Sequence, residues 1–210
     1  MVQDVDSLRV ALRKCPTGHS LRSSWSLYNL ANSLQDRFER SGVMSDLDEA
    51  IELHRAALAL RRPGHSFRPS SLNSLAIALQ YRFKQRSVLS DLDEAIDLHR
   101  AALLLCPPGH SNRSQSLNNL ATGLGDRFRR GGVLSDLDES IDLLQVALTL
   151  YHPGHSFRSS CLKNIAISLR ERFNLTGVLS DLDEAFSHYS QLSQPFHAVS
   201  HIDLQVAKLH

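Results

Sequence analysis

Cysteine and net charge are both scarce in this chain of 210 residues. The three cysteines, Cys15, Cys106 and Cys161, include no CxxC pair, which argues against a disulfide framework or a zinc site and predicts a reducing, cytoplasmic setting. The 23 Lys and Arg nearly balance the 22 Asp and Glu, and the net charge is +1. Because nucleic acids and anionic membranes attract a basic surface, we expect neither of them as a partner.

Long apolar runs and catalytic motifs are missing as well. No segment approaches the roughly 20 apolar residues of a membrane helix, and the amino terminus lacks the apolar run of a secretory signal. The sequence contains no Walker loop, no GxSxG, no HExxH and no Cys-His pair with a family signature. These absences predict a protein that is not an enzyme and that holds no cofactor and no metal.

The sequence does contain an internal repeat. The phrase SDLDE begins at Ser45, Ser90, Ser135 and Ser180, so that its interval is 45 residues each time. An Arg-Phe pair precedes each copy, and a PGHS-like loop followed by an arginine separates the copies. A fixed period of this length is typical of solenoid proteins, in which each unit packs only on its neighbours.

Each unit contains two stretches with the apolar spacing of an amphipathic helix. The first, helix A, carries Leu72, Leu75, Ala76, Leu79 and Phe83, and the second, helix B, carries Leu92, Ala95, Ile96, Ala102 and Leu103. No long stretch alternates with period two, so there is no candidate strand. The fold class predicted is all-α, an α-α superhelix of antiparallel helix pairs.

The period also predicts the boundaries of the units. We expect a solenoid over residues 1–194, made of a partial repeat at 1–19 and repeats at 20–65, 66–110, 111–155 and 156–194. Pro195 breaks the last helix, and residues 195–210 are expected to form a degenerate or truncated next helix. Because a solenoid needs capped ends, this predicts either a piece of a larger protein or a short product that packs its open ends on a partner.

Two recurring phrases are interpreted as helix boundaries. In SDLDE the serine stands three residues before an acid, which predicts a capping box at the start of helix B, in preference to a metal or acid-base role. The proline and glycine of PGHS end helix B, and we expect its histidine to bond to nearby backbone and its serine to cap the next helix A. Gly123 and Gly125 lie on helix A and are expected to loosen it.

These motifs together resemble the tetratricopeptide repeat (TPR). Helix A reads LxxLAxxL, helix B reads DEAIxLHxxAL, and a proline follows. The 45-residue period and SLNNLA at residues 116–121 resemble the long repeats of kinesin light chains. The repeat sequences are more similar still to the TPR arrays of fungal proteins that carry a caspase-like CHAT domain or an NLR-type nucleotide-binding switch domain.

The resemblance implies a concave wall, lined by helix A, that binds an extended peptide or a partner helix. In TPR proteins an asparagine just before the second leucine of helix A often bonds to the ligand backbone. This row is Asn29, Ser74, Asn119 and Asn164, and Trp25 is a candidate anchor at the rim. The predicted groove comprises Asn29, Asn32, Asn73, Asn118, Asn119, Lys163, Asn164 and Arg170. Alternatively, these residues are solvated or contact the neighbouring repeat.

The function predicted is a non-catalytic scaffold for a protein or peptide partner. The alternative is a regulatory or sensing arm of a CHAT or NLR-type switch protein whose effector domain lies outside this chain. Nucleic-acid binding by a helical solenoid is disfavoured by the balanced charge.

Overall fold

The computed structural model describes residues 5–13 and 20–193, and within these ranges it contains nine α-helices and no strand. The all-α prediction is therefore confirmed for this part of the chain. The helices are α1 (Val5–Arg13), α2 (Ser20–Ser41), α3 (Met44–Leu60), α4 (Arg68–Arg86), α5 (Leu89–Leu104), α6 (Arg113–Gly131), α7 (Leu134–Leu150), α8 (Arg158–Thr176) and α9 (Leu179–Ser193).

The helices alternate between two layers. The even-numbered helices α2, α4, α6 and α8 are the predicted A helices, and each packs against the B helix that follows it, which then packs against the next A helix. Successive A helices approach each other within 8 Å between Cα atoms, whereas no two B helices of the described residues do so. This difference places the A helices on the inner side of the curved array and the B helices on its outer side.

Small and branched apolar residues fill the space between the layers. Leu75, Ala76 and Leu79 of α4 and Leu92 and Ile96 of α5 are all buried, as the helical spacing predicts. Alanine at the point where neighbouring helices meet lets their backbones approach closely, and apolar burial stabilises by about 25 cal/mol per Å². The buried side chains therefore stack the repeats and leave polar side chains for the inner surface.

The serine cap predicted for the B helices is wrong. Each of these helices begins one residue before the serine, as at Leu89, and no side chain caps α3, α5 or α7. The first aspartate of the phrase instead accepts two hydrogen bonds from the arginine nine residues earlier. Arg82 donates its Nε to Asp91 Oδ2 at 2.7 Å and its Nη2 to Oδ1 at 2.8 Å, and these bonds raise the pKa of Arg82.

The same fork joins helix A to helix B in every described repeat. Its members are Arg37 with Asp46, Arg82 with Asp91, Arg127 with Asp136, and Arg172 with Asp181. The four aspartates are buried, and the hydrogen bonds from Arg172 lower the pKa of Asp181. A bidentate, charge-assisted pair with a buried carboxylate is stronger than a serine cap, which explains why the aspartate turns toward the arginine.

The other two acids of SDLDE connect neighbouring repeats. Asp138 accepts a hydrogen bond from Arg172 of the following repeat at 3.0 Å. Glu94 accepts one from Arg55 of the preceding B helix at 2.7 Å, and Glu139 accepts one from Arg100 at 2.9 Å. The acidic phrase is therefore a structural device that fixes the register of each repeat against both of its neighbours.

The PGHS loops bear out the prediction for their histidines. The Nδ1 atoms of His65, His110 and His155 each accept a hydrogen bond from the backbone N–H two residues later, at 3.2, 3.1 and 3.2 Å. His19 lies outside the described residues. The interpretation of the loop serine is wrong for α4, α6 and α8, because these helices begin two residues after it and no side chain caps them.

The arginine after each of the last three loops donates to carbonyls at or just beyond the end of the preceding B helix. Arg158 donates to the carbonyls of Leu148 and Tyr151 at 3.1 and 2.7 Å, and Arg113 donates to that of Cys106 at 2.7 Å. The last carbonyls of a helix have no partner within the helix, and a cation there also interacts favourably with the helix dipole. This contact explains the arginine of the recurring loop.

The turn from α4 to α5 offers a stabilising substitution. Ser87 has a φ of 57°, whereas Gly42, Gly132 and Gly177 occupy the equivalent left-handed position in the other repeats. Since a side chain in this conformation costs about 1 kcal/mol, Ser87→Gly is expected to raise the melting temperature by a few degrees. Ser87→Ala, which keeps the Cβ, is the control, and equal melting temperatures for the two variants would contradict the prediction.

Candidate functional site

The eight predicted groove residues all lie on A helices, but they differ in exposure. Asn29, Asn32, Asn118, Asn119 and Asn164 are half-buried on the inner layer. Lys163 and Arg170, both on α8, are exposed. These seven residues are accessible to a partner to different degrees, while Asn73 is buried.

Some members of the row bond to the adjacent repeat. Asn164 donates through Nδ2 to Asn118 Oδ1 at 3.3 Å and to Thr122 Oγ1 at 3.4 Å. Tyr28 Oη and Ser74 Oγ, the equivalent pair two repeats earlier, lie 3.0 Å apart. The alternative of contact with the neighbouring repeat therefore holds for Asn118 and Asn164, although both keep exposed surface.

Asn119 differs from the other asparagines. Asn119 is half-buried as a whole, but its Nδ2 atom is shielded from solvent and has no hydrogen-bond partner. A buried amide donor without a partner costs about 1 to 3 kcal/mol. Once the Asn119 amide turned toward the inner surface, a carbonyl oxygen supplied by a partner would recover that cost.

Asn73 belongs to a buried polar cluster and is not part of an open groove. It donates to Ser116 Oγ at 2.9 Å, and its Oδ1 lies 2.9 Å from His99 Nδ1. His99 is fully buried, and burial lowers its pKa to about 3, so its ring is neutral and donates Nδ1–H to Asn73. His99 Nε2 lies 3.3 Å from the carboxamide of Gln80. The prediction that Asn73 lines the groove is therefore wrong, because its side chain is not accessible to a partner.

A second histidine is buried one repeat earlier. His54 is fully buried, and neither of its ring nitrogens has a hydrogen-bond partner. Burial, and secondly the charge of Arg61, lower its pKa to about 4. The ring is therefore neutral near pH 7 and acts as an apolar filler against Tyr28, whose ring centroid is 5.7 Å away.

Arg61 is buried among aromatic rings at the same end of the array. Its guanidinium carbon lies 4.5 Å from the centroid of Tyr28, 6.0 Å from that of Trp25 and 5.8 Å from that of Phe67. It donates to Ser71 Oγ at 2.5 Å, and burial lowers its pKa. Trp25, predicted as a rim anchor, thus packs near Arg61 while remaining 48% exposed.

A pocket of about 310 Å³ lies between α6 and α8 on the inner layer. It is lined by Ala121, Thr122, Gly125, Arg129, Ser140, Leu144, Asn164, Ile167, Ser168 and Glu171. The register explains the pocket, because Gly125 stands where the other repeats carry Gln35, Gln80 and Arg170. The sequence signal for this pocket is one absent side chain in an otherwise regular row of long polar side chains.

A smaller pocket of about 230 Å³ adjoins the carboxyl ends of α4 and α6. Its charged residues are Lys84, Asp126, Arg129 and Arg130. Asp126 is paired with both Lys84, at 3.2 Å, and Arg129. Arg129 lines both pockets and so connects them along the inner layer.

Two glycines in α6 are predicted to respond oppositely to substitution by alanine. A Cβ at Gly123 would lie 3.0 Å from Gln80 Nε2 and 3.2 Å from Ile96 Cγ1, whereas a Cβ at Gly125 would meet nothing nearer than 3.6 Å. Alanine gains about 1 kcal/mol of helix propensity, and overpacking costs about 1 to 3 kcal/mol. Gly125→Ala should raise the urea midpoint, and Gly123→Ala should lower it. A shift of the same sign in both variants would refute the packing argument.

The described residues contain no group of three or more His, Cys, Asp or Glu side chains that could hold a metal ion. Burial raises the pKa of Cys161 to about 11, which makes its thiol a poor nucleophile. None of the described helices is both long enough and apolar enough to cross a bilayer.

Comparison with known proteins agrees with this architecture. Residues 24–65 match the family model of the tetratricopeptide repeat, and no curated protein matches the sequence. A kinesin light chain candidate of Podosopora anserina with nearly identical TPR-like repeats is similar in structure, with a TM-score of 0.62 at 17% identity over 92% of this chain and 88% of that one. BtubC (BKLC) from P. vanneervenii has a TM-score of 0.63 at 17% identity over 93% and 77% of the two chains.

At these identities the solved structures establish the fold alone. They have the same arrangement of helices over most of the chain and confirm the predicted superhelix of helix pairs. Solenoids of this kind serve in general as scaffolds for protein interaction, because stacking leaves an extended surface on one side.

Proposed function

We propose that this chain, in which residues 24–65 match the tetratricopeptide repeat, is a non-catalytic scaffold that binds a peptide or a partner helix along the inner face of its A helices. The observation that supports the proposal is the amide donor of Asn119, which lies on an inner-layer helix and has no hydrogen-bond partner. An extended peptide offers a carbonyl oxygen at each residue, which suits such a donor.

The proposed groove runs along the half-buried row of asparagines and ends at the exposed cations of α8. It comprises Asn29, Asn32, Asn118, Asn119, Asn164, Lys163 and Arg170, and it leaves out Asn73 because that side chain is buried. The two cations stand in one repeat only, so the groove is suited to a backbone and not to a cluster of acidic side chains. The binding unit proposed is the solenoid of residues 1–194, acting in the cytoplasm.

An affinity capture with matched variants tests the proposal. The groove variant replaces Asn29, Asn119 and Asn164 by alanine. The control variant replaces three other residues by alanine, namely Glu52, Asp97 and Asp142, which are exposed at equivalent positions of the B helices. We expect the groove variant to lose at least one partner, identified by mass spectrometry, that the wild type and the control both retain. Identical partners for all three baits would show that the groove is assigned wrongly.

The alternative function, a regulatory arm of a CHAT or NLR-type protein, is suggested by the similarity of the repeat sequences to the TPR arrays of such proteins. A longer transcript that encodes a CHAT domain after His210 would favour it. The scaffold proposal concerns the surface of this chain and is compatible with either context.

A further inference from the structure

We propose that the pocket between α6 and α8 binds the side chain of one glutamine of the partner, whose carboxamide takes the place that Gln80 fills in the preceding repeat. This inference rests on the proposed function and specifies one position of the ligand. It follows from three features of the pocket, namely its origin, its charge and its unsatisfied hydrogen-bonding atoms.

The origin of the pocket is a missing glutamine. In the second repeat Gln80 lies buried on the inner side of α4, with its carboxamide against His99 of the B helix. In the third repeat Gly125 supplies no side chain, and Leu144 replaces the histidine. A Cβ built on Gly125 would stand 3.6 Å from Arg129 Nη1 and 3.9 Å from Ser140 Oγ. The vacated space is therefore open to an incoming side chain and has polar atoms on its wall.

The charges at the pocket favour a neutral occupant. Arg129 is paired with Asp126 and lies 3.4 Å from Glu171 Oε1, and Lys84 is also paired with Asp126. Two cations and two carboxylates thus compensate one another. An added ammonium or carboxylate would enter this space without a counter-charge, and burying an unpaired charge is costly.

The remaining hydrogen-bonding capacity requires both a donor and an acceptor from the occupant. Glu171 Oε2 is shielded from solvent and has no partner. Arg129 has five N–H donors, of which its contacts with Asp126 and Glu171 use only a part. A carboxamide can donate N–H to the Glu171 oxygen and accept from the guanidinium, while its two methylenes contact Ala121 and Leu144.

The volume is consistent with a single side chain. At about 310 Å³ the pocket is at the lower end of the range of sites that enclose a small molecule, and it opens on the inner layer where the backbone of the partner would run. Thr122 and Asn164 line the pocket and already bond to each other, so neither needs a hydrogen bond from the occupant.

A positional peptide library tests the inference. Acetylated random peptides carry one fixed central residue, either glutamine, leucine, tyrosine, lysine or glutamate, and binding is measured to the whole chain. We expect the glutamine set to bind about ten-fold more tightly than the leucine set, because hydrogen bonds to charged groups are lost with leucine. Gly125→Gln should abolish the preference by filling the pocket from within.

The controls separate the possible failures. Gly125→Ala removes the glycine but leaves most of the pocket, so it should keep the preference, and circular dichroism confirms that both variants are helical. Peptide binding with no preference for glutamine, or with a preference for tyrosine, would overturn this inference and leave the scaffold intact. Failure of every peptide set to bind would count against the proposed peptide groove itself.

Discussion

Lowering the pH from about 7.5 to about 5 is expected to reduce the unfolding free energy of the array by about 4 kcal/mol. The cause is the pair of buried histidines, His54 and His99, whose pKa values are lowered from 6.5 to about 4 and about 3. At pH 5 the unfolded chain binds a proton at each of these histidines and the folded chain does not. Each contributes a loss of about 2 kcal/mol, since one pH unit corresponds to about 1.4 kcal/mol per proton.

The sign and the window follow from the direction of these shifts. For a histidine with a lowered pKa, the stability is fully present above the ordinary value of 6.5 and declines as the pH falls toward the folded value. Asp181, whose pKa is lowered by Arg172, contributes in a separate and more acidic window below its ordinary value of 3.8. A loss that begins below about pH 6.5 therefore identifies the histidines as its source.

His54→Leu isolates one half of this effect. Neither ring nitrogen of His54 has a partner, and Leu144 occupies the same register in the third repeat, so leucine should be tolerated near pH 7. Urea unfolding of this variant at both pH values should show a loss of about 2 kcal/mol in place of about 4. His152→Gln, at an exposed position, should keep the full loss. If all three proteins had the same pH dependence, the buried histidines would not be its cause.

The period of the sequence was sufficient to predict the helix pairs, whereas local rules failed at their ends. Apolar spacing is decided within a few turns of one helix, and Leu75, Ala76 and Leu79 are buried accordingly. The serine of SDLDE and the acid three residues later satisfy a local capping rule, but the structure uses the first aspartate of the phrase to pair with an arginine on another helix. The fork between Arg82 and Asp91 supplies two charge-assisted hydrogen bonds, and no rule that considers a single helix includes such a pair.

The repeat register could predict which positions lie on the inner surface, but it could not predict which of those side chains are accessible. Asn73 and Asn118 occupy the same position in successive repeats, yet Asn73 is buried and Asn118 is half-buried. The difference arises on the facing B helix, where His99 holds Asn73 and Leu144 offers no polar atom to Asn118. The pocket likewise depends on the absence of a side chain at Gly125 together with groups from α7 and α8. Such combinations become visible only when the repeats are stacked.

The recurring arginine and aspartate fork leads to the second large prediction, that Asp91→Asn lowers the unfolding free energy by about 2 kcal/mol. Removing one partner of a fully buried ion pair costs about 3 to 5 kcal/mol. The cost is smaller here because the side chain of Arg82 is 22% exposed and can turn toward Asp48, which is 3.5 Å from its Nη1. The substitution also removes a negative charge from the first turn of α5, where it interacts favourably with the helix dipole.

Asp97→Asn provides the matched control, because Asp97 lies on the same helix and is exposed. Urea unfolding followed by circular dichroism should show a change within about 0.5 kcal/mol for this variant. Arg82→Gln combined with Asp91→Asn completes a double-mutant cycle, in which a coupling of about 1 to 2 kcal/mol is expected for a pair in direct contact. Equal losses for Asp91→Asn and Asp97→Asn would mean that the fork adds nothing to stability. A coupling above that range would mean that neighbouring forks act as one network along the array.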